Sequence, residues 1–196
     1  TTIDNPELHF QTKLFTGTGS GTQAVTLDGS ENMQPDFVWT KDREADSSHD
    51  LYDSVRGVGK RIRSDGNGAE ATNSDMITAF STDGFTVGTQ DGVQYSTNDG
   101  VAWCWKAGTS FSNSGGSNGA DLASSGSYNR DAGFSIVTFT GNATANQQIY
   151  HGLNSVPVWM VLKNRTNSNN ESWSVYHQSI GNTKKITLDT TATPST

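Results

Sequence analysis

Five carboxylates, Asp42, Glu44, Asp46, Asp50 and Asp53, fall close together along the chain. Glycoside hydrolysis needs two such groups, one to protonate the leaving oxygen and one to act as base or nucleophile. The same stretch also reads as a hydrophilic hairpin tip. Solvated loop charge is the simpler reading, with Asp46 and Asp50 as candidate ligand contacts. A second oxygen-rich run, Ser64-Asp65-Gly66-Asn67-Gly68-Ala69-Glu70, offers Asp65, Asn67 and Glu70 to a hard cation. It lacks the twelve-residue spacing of an EF-hand, so calcium is admitted and no cofactor is required.

Nucleophilic hydrolysis would need a Ser or Cys with a converging His. The histidines are His9, His49, His151 and His177, and no Gly-x-Ser-x-Gly elbow is present. His151 precedes Gly152 near a strand end, where a turn hydrogen bond accounts for it. Cys104 is the single cysteine, which excludes an internal disulfide and a zinc site of several thiolates. Flanked by Trp103 and Trp105, it reads as a small buried hydrophobe.

Trp39, Trp103, Trp105, Trp159 and Trp173 could stack on sugars, but a β core also needs large side chains. Trp173, beside Asn169-Asn170-Glu171-Ser172, is nearest a polar loop. Trp173, Asn169 and Asn170 are therefore the glycan-contact candidates. No catalytic residue is assigned, and the chain is read as a non-enzyme.

The elements that position these groups must be strands. In 196 residues only 32% are hydrophobic and 17% charged, yet aromatics reach 9%. Disordered chains carry more charge and fewer aromatics, so this balance indicates a β-rich fold with long polar turns. The net charge of −7 and the lack of a basic stripe exclude nucleic-acid binding. The short run Lys60-Arg61-Ile62-Arg63 reads as a charged, exposed strand edge. No apolar run approaches the ~20 residues of a membrane helix; no signal peptide is expected at Thr1, a start that a processing boundary would also give.

The chain also repeats itself. Phe10-x4-Phe15-Thr16-Gly17 returns as Phe134-x4-Phe139-Thr140-Gly141, an offset of 124. Pro35-Asp-Phe-Val-Trp-Thr-Lys41-Asp-Arg43 returns as Pro157-Val-Trp-Met-Val-Leu-Lys163-Asn-Arg165, an offset of 122. Tyr52, Gly57, Lys60 and Ile62 meet Tyr176, Gly181, Lys184 and Ile186, again at 124. Both slips fall in polar Gly/Ser/Asn/Asp stretches, where loops absorb insertions. The second copy replaces several loop acids with Asn164, Thr166 and Ser168. Its last residue, Thr196, matches position 72, so segments 80–88 and 101–106 have no counterpart. The expectation is either a fragment of a longer chain or strands supplied by a neighbour.

Phe37, Trp39, Lys41 and Arg43 alternate with Val38, Thr40 and Asp42, the period-2 mark of a strand with unlike faces. Trp159 and Val161 alternate with Val158, Met160 and Leu162, so both faces are apolar there, as in a central strand covered on both sides. Pro35 and Pro157 stand at the strand entrances. Further strands are expected near 10–16, 23–27, 50–55, 60–63, 84–88, 101–106, 134–139, 148–151, 173–177 and 184–188. Turn signals include Asp65-Gly66, Asp83-Gly84, Asp91-Gly92 and Asp99-Gly100, with short helical turns allowed near Glu70–Ile77. The fold class is all-β, a β-sandwich or jelly-roll-like arrangement of two repeated units, the second truncated. Its parts are repeat one (1–106), a flexible Gly/Ser/Asn-rich connector (107–131) and an incomplete repeat two (132–196).

Taken together, Phe-x4-Phe-Thr-Gly, Gln34-Pro35-Asp36-Phe37-Val38-Trp39, Leu51-Tyr52-Asp53-Ser54-Val55-Arg56-Gly57, Asp83-Gly84-Phe85-Thr86-Val87-Gly88 and Val101-Ala102-Trp103-Cys104-Trp105-Lys106 resemble a recurrent, functionally uncharacterised β-rich domain of marine tailed-phage structural proteins. The second copy adds His151-Gly152-Leu153 and Trp173-Ser174-Val175-Tyr176-His177. The resemblance implies a virion exterior, in a tail fibre or other appendage, and a part in host contact. It brings no catalytic or ligand residues. The partners expected are other virion proteins or copies of the chain, a trimer among them. With the Asn/Ser/Asp-rich loops it suggests weak contact with a host cell-surface glycan. The rival is a purely architectural part: a capsid decoration, collar or fibre-shaft spacer.

Overall fold

The computed structural model describes residues 3–90, 97–166 and 171–196. The Asp91-Gly92 turn signal and the candidates Asn169 and Asn170 lie outside them. Fifteen strands are described, and every pairing between them is antiparallel. A six-stranded sheet runs in the order β1 (Phe10–Thr16), β9 (Asp99–Trp105), β3 (Phe37–Asp42), β4 (Asp50–Asp53), β5 (Lys60–Arg63) and β6 (Ala71–Thr72). A second sheet orders β2 (Gln23–Thr26), β8 (Gly84–Val87) and β7 (Ile77–Ser81). A third orders β10 (Thr109–Asn113), β11 (Ser124–Asn129) and β12 (Phe134–Phe139), and a fourth β13 (Trp159–Leu162), β14 (Ser174–His177) and β15 (Ile186–Thr187).

Alternation decides which side chains go where. One face of the six-stranded sheet sends Val38, Tyr52, Ala102 and Cys104 into a core with Val25, Phe85, Val87 and Ile77 of the second sheet. Tyr52, Phe85 and Ile77 are almost wholly enclosed, and burying a side chain of that size contributes roughly 1.5–3 kcal/mol. The opposite face carries Phe10, Phe37, Trp39, Trp103 and Trp105. Phe37 meets Trp105 edge-on at 5.4 Å, Trp39 meets Trp103 at 6.1 Å, and Phe134 of the second copy stacks on Trp105 at 6.2 Å. Beside them Leu51, Ile62 and Trp173 form a smaller core with Val161 packed against it. The large sheet is thus the middle of a sandwich, closed on one side by its own repeat and on the other by the second.

The duplication extends to strand register. In the first copy β3 pairs with β4 as Phe37↔Asp53, Val38↔Tyr52, Trp39↔Leu51 and Thr40↔Asp50. In the second, β13 pairs with β14 as Trp159↔His177, Met160↔Tyr176, Val161↔Val175 and Leu162↔Ser174. Each second-copy residue is the repeat counterpart of the first-copy one. The next pairing agrees too: Asp50↔Arg63 and Leu51↔Ile62 become Ser174↔Thr187 and Val175↔Ile186. Even the flanking bond recurs, Ser54 N donating to Asp36 O at 2.8 Å and Gln178 N to Val158 O at 2.9 Å. Gly57 and Gly181 both take positive φ, 94° and 75°, a conformation glycine adopts without steric cost.

Several local expectations are corrected. Segment 107–131 is no plain flexible connector, since it contributes β10 and β11 to the third sheet. Its small residues are what that sheet requires. At Gly126 a side chain would collide with the Ile136 carbonyl and the Phe111 ring, while Ser124 Oγ donates to Tyr150 O at 3.0 Å. Lys60–Arg63 is not an exposed edge, because β5 lies between β4 and β6. Residues 70–77 give β6 and the start of β7 rather than helical turns, and 148–151 forms only an isolated bridge, Leu122↔Ile149. β13, which reads as a central strand covered on both sides, is an edge strand with an uncovered face.

Candidate functional site

The carboxylates expected to be solvated are mostly drawn into the fold. Asp50 is 1% exposed, lying 3.4 Å from Arg63 and 3.7 Å from Arg61. Burial pushes its carboxyl up to about 6 against the pull of the two guanidinium groups. It is therefore a structural charge and no ligand contact. Asp42 accepts from the backbone of Glu44 and Ala45 and from Asn98 Nδ2 at 3.1 Å, tying the hairpin tip to the entry of β9. These bonds hold its carboxyl below the ordinary range although burial opposes them. Asp53 pairs with Arg56. Asp46 remains exposed at the tip.

Asp65, Asn67 and Glu70 are not gathered as calcium ligands. Asp65 accepts from His49 N at 3.0 Å, Asn67 is exposed, and Glu70 Oε2 lies 3.2 Å from Arg56 and 3.1 Å from Arg165. Two cations already occupy the Glu70 oxygen, so a third would be repelled. Among the described residues no cluster of three His, Cys, Asp or Glu could hold a metal ion. Glu70 instead joins the two copies, because Arg165 is the repeat counterpart of Arg43, and Glu70 N also donates to Arg165 O at 2.9 Å.

Trp173 is corrected in the same way. It is 7% exposed, and its indole N–H lies 2.8 Å from Arg63 O and 3.1 Å from Gly66 O. Its ring faces the first copy, where no sugar reaches it. His151 Nδ1 accepts from Leu153 N at 3.2 Å, the turn bond its sequence position suggests. His49 Nδ1 accepts from Trp39 Nε1 at 3.0 Å, and desolvation keeps the ring below its ordinary pKa. His177 and Ser179 are 2.6 Å apart, but the ring also accepts from Ser179 N, which makes the contact the cap of a short 3₁₀ turn. Burial pushes the Cys104 thiol up to about 12, which leaves it inert.

What the structure leaves open is β13. Val158, Trp159, Met160 and Leu162 are 53%, 55%, 41% and 42% exposed, and Val156 ahead of them is exposed as well. Their first-copy counterparts are Asp36, Phe37, Val38 and Thr40. Val38 and Thr40 are both fully buried, Val38 in the core shared with the second sheet. Among the described residues nothing plays that part for Met160 and Leu162. The inward side chain, Val161, packs against the first copy and anchors the strand. β13 is therefore anchored through Val161, apolar on its outer face and, among the described residues, without a strand partner along one edge. Only the duplication points to this site from sequence: segment 158–162 is apolar on both faces, and among the described residues no strand covers its outer one.

Fold and surface together define a duplicated, layered antiparallel β-module whose edge strand β13 carries an uncovered apolar face, with no assembled catalytic constellation among the described residues. The chain belongs to the family described as a domain of unknown function (DUF7483), whose model matches residues 5–196. No curated protein matches the chain, and no solved structure matches it.

Proposed function

We propose that the protein is a non-catalytic architectural module of a virion exterior, in a tail fibre or comparable appendage, which joins its neighbours through the open surface of β13. The single observation that carries the assembly role is the uncovered strand. A rigid apolar face beside unpaired backbone groups is what a protein contact occupies. The virion setting rests on the resemblance of the repeat motifs to phage structural proteins. Of the described residues read as glycan contacts, Asp50 and Trp173 are buried, so support shifts from sugar binding toward assembly.

Light scattering over a range of concentrations tests this. Wild type is expected to associate, and a Met160→Lys/Leu162→Lys variant to stay monomeric with an unchanged fold. Association that ignores the two lysines overturns the assembly surface. Release of new reducing ends from a host polysaccharide overturns the non-catalytic reading.

A further inference from the structure

The first copy shows how the open edge of β13 is completed. We propose that this edge is a strand-acceptor site for an extended segment of a partner polypeptide, added antiparallel and carrying the alternating aromatic and small apolar residues of β9. The proposal rests on the assembly reading and names the partner of that surface.

Backbone direction supports it. Val158 O accepts from Gln178 N on the β14 side. Backbone groups alternate along a strand, so those of Trp159, Val161 and Lys163 turn toward the open edge. In the first copy Asp36 O likewise accepts from Ser54 N, and on the other edge Arg43 N donates to Asp99 O of β9 at 2.8 Å. There β9 pairs with β3 as Phe37↔Trp105, Val38↔Cys104, Trp39↔Trp103 and Thr40↔Ala102. Transferred through the repeat, an added strand sets large aromatic residues opposite Trp159 and Val161. Small apolar ones then face Met160 and Leu162, extending the outer face as Ala102 and Cys104 do.

Charge agrees with the same direction. β9 enters with Asp99, 3.6 Å from Arg43. In the second copy Arg165, the counterpart of Arg43, is already taken by Glu70 through its guanidinium and its carbonyl, so Lys163, the counterpart of Lys41, is the cation left to meet an acidic start to the incoming strand. The protein's own β9 is not the donor, because β1 and β3 occupy both its edges.

The test titrates the full chain with a peptide of sequence 99–106 and follows amide hydrogen exchange. Saturable one-to-one binding is expected, with exchange at Trp159, Val161 and Lys163 slowed about tenfold or more and Met160 unchanged because it already faces β14. A scrambled peptide should not bind. Lys163→Pro removes one edge-facing donor without touching the β14 side and should weaken binding about threefold to tenfold. Absence of binding, or binding that leaves those three amides unprotected, overturns the proposal. So does concentration-dependent protection of the same amides without peptide, which would make a second copy the occupant. If the peptide fails while lysine-sensitive association persists, this inference falls and the assembly reading stands. If the peptide binds while association ignores the lysines, the reverse holds.

Discussion

Met160 and Val38 occupy the same place in their two sheets, each opposite a tyrosine, Tyr176 and Tyr52, yet Val38 is fully buried and Met160 is 41% exposed. Identical pairing with opposite burial separates two contributions that sheet proteins normally mix, strand register and the layer that covers it.

That separation predicts unequal mutational costs. Met160→Lys should change the stability of the chain by less than about 0.5 kcal/mol, as surface substitutions do. Val38→Lys buries an unpaired charge and should cost more than about 4 kcal/mol or prevent folding. Urea denaturation of the two variants checks both, and equal costs would mean that the Met160 face is covered.

Glu70 should act as the fastener between the copies. Glu70→Ala strips Arg165 of its acid and leaves Arg56 with Asp53 and the Leu51 carbonyl. A loss of about 2 kcal/mol is expected, read as a lower denaturant midpoint at unchanged slope.

Asp50 should make stability fall as pH rises through mildly acid values. Its folded-state carboxyl titrates at about 6, above the ordinary 3.8. Between those values the folded chain holds a proton that the unfolded chain has released, so stability from this group declines from pH 4 to pH 6. The change is of the order of 2–3 kcal/mol. Asp50→Asn should flatten that part of the profile, measured as denaturation midpoints at pH 4.5 and pH 7.

Gly126→Ala should destabilise the third sheet through its clash with Ile136 and Phe111. A flexible connector would tolerate it. Exchange at the amides of residues 124–129 distinguishes the cases, with faster exchange expected in the variant.

Much of this architecture was legible because alternation and repetition are local or self-referential signals. Phe37–Arg43 and Phe134–Phe139 declare strands by pattern, and the offsets of 122 and 124 foreshadow the shared register. β10 and β11 were not legible, since their Ser and Gly residues resemble a linker. They become strand residues only because Phe111, Tyr128 and Tyr150 close over them. The ligand candidates failed for another reason. Trp173 and Asp50 adjoin polar loops in sequence, but the direction of a side chain is set by the sheet behind it. In both cases the sheet turns it inward.

The fixed position of β9 limits what the open edge can build. A subunit that offered a free strand at one place and accepted one at another could add copies without end, as filaments do. Here the only strand known to fit is clasped along both of its sides within its own sheet. On the proposal above, β13 would receive a guest strand while β9 stays held in its own sheet, so strand addition of this kind would pair one chain with one guest and would not string copies together.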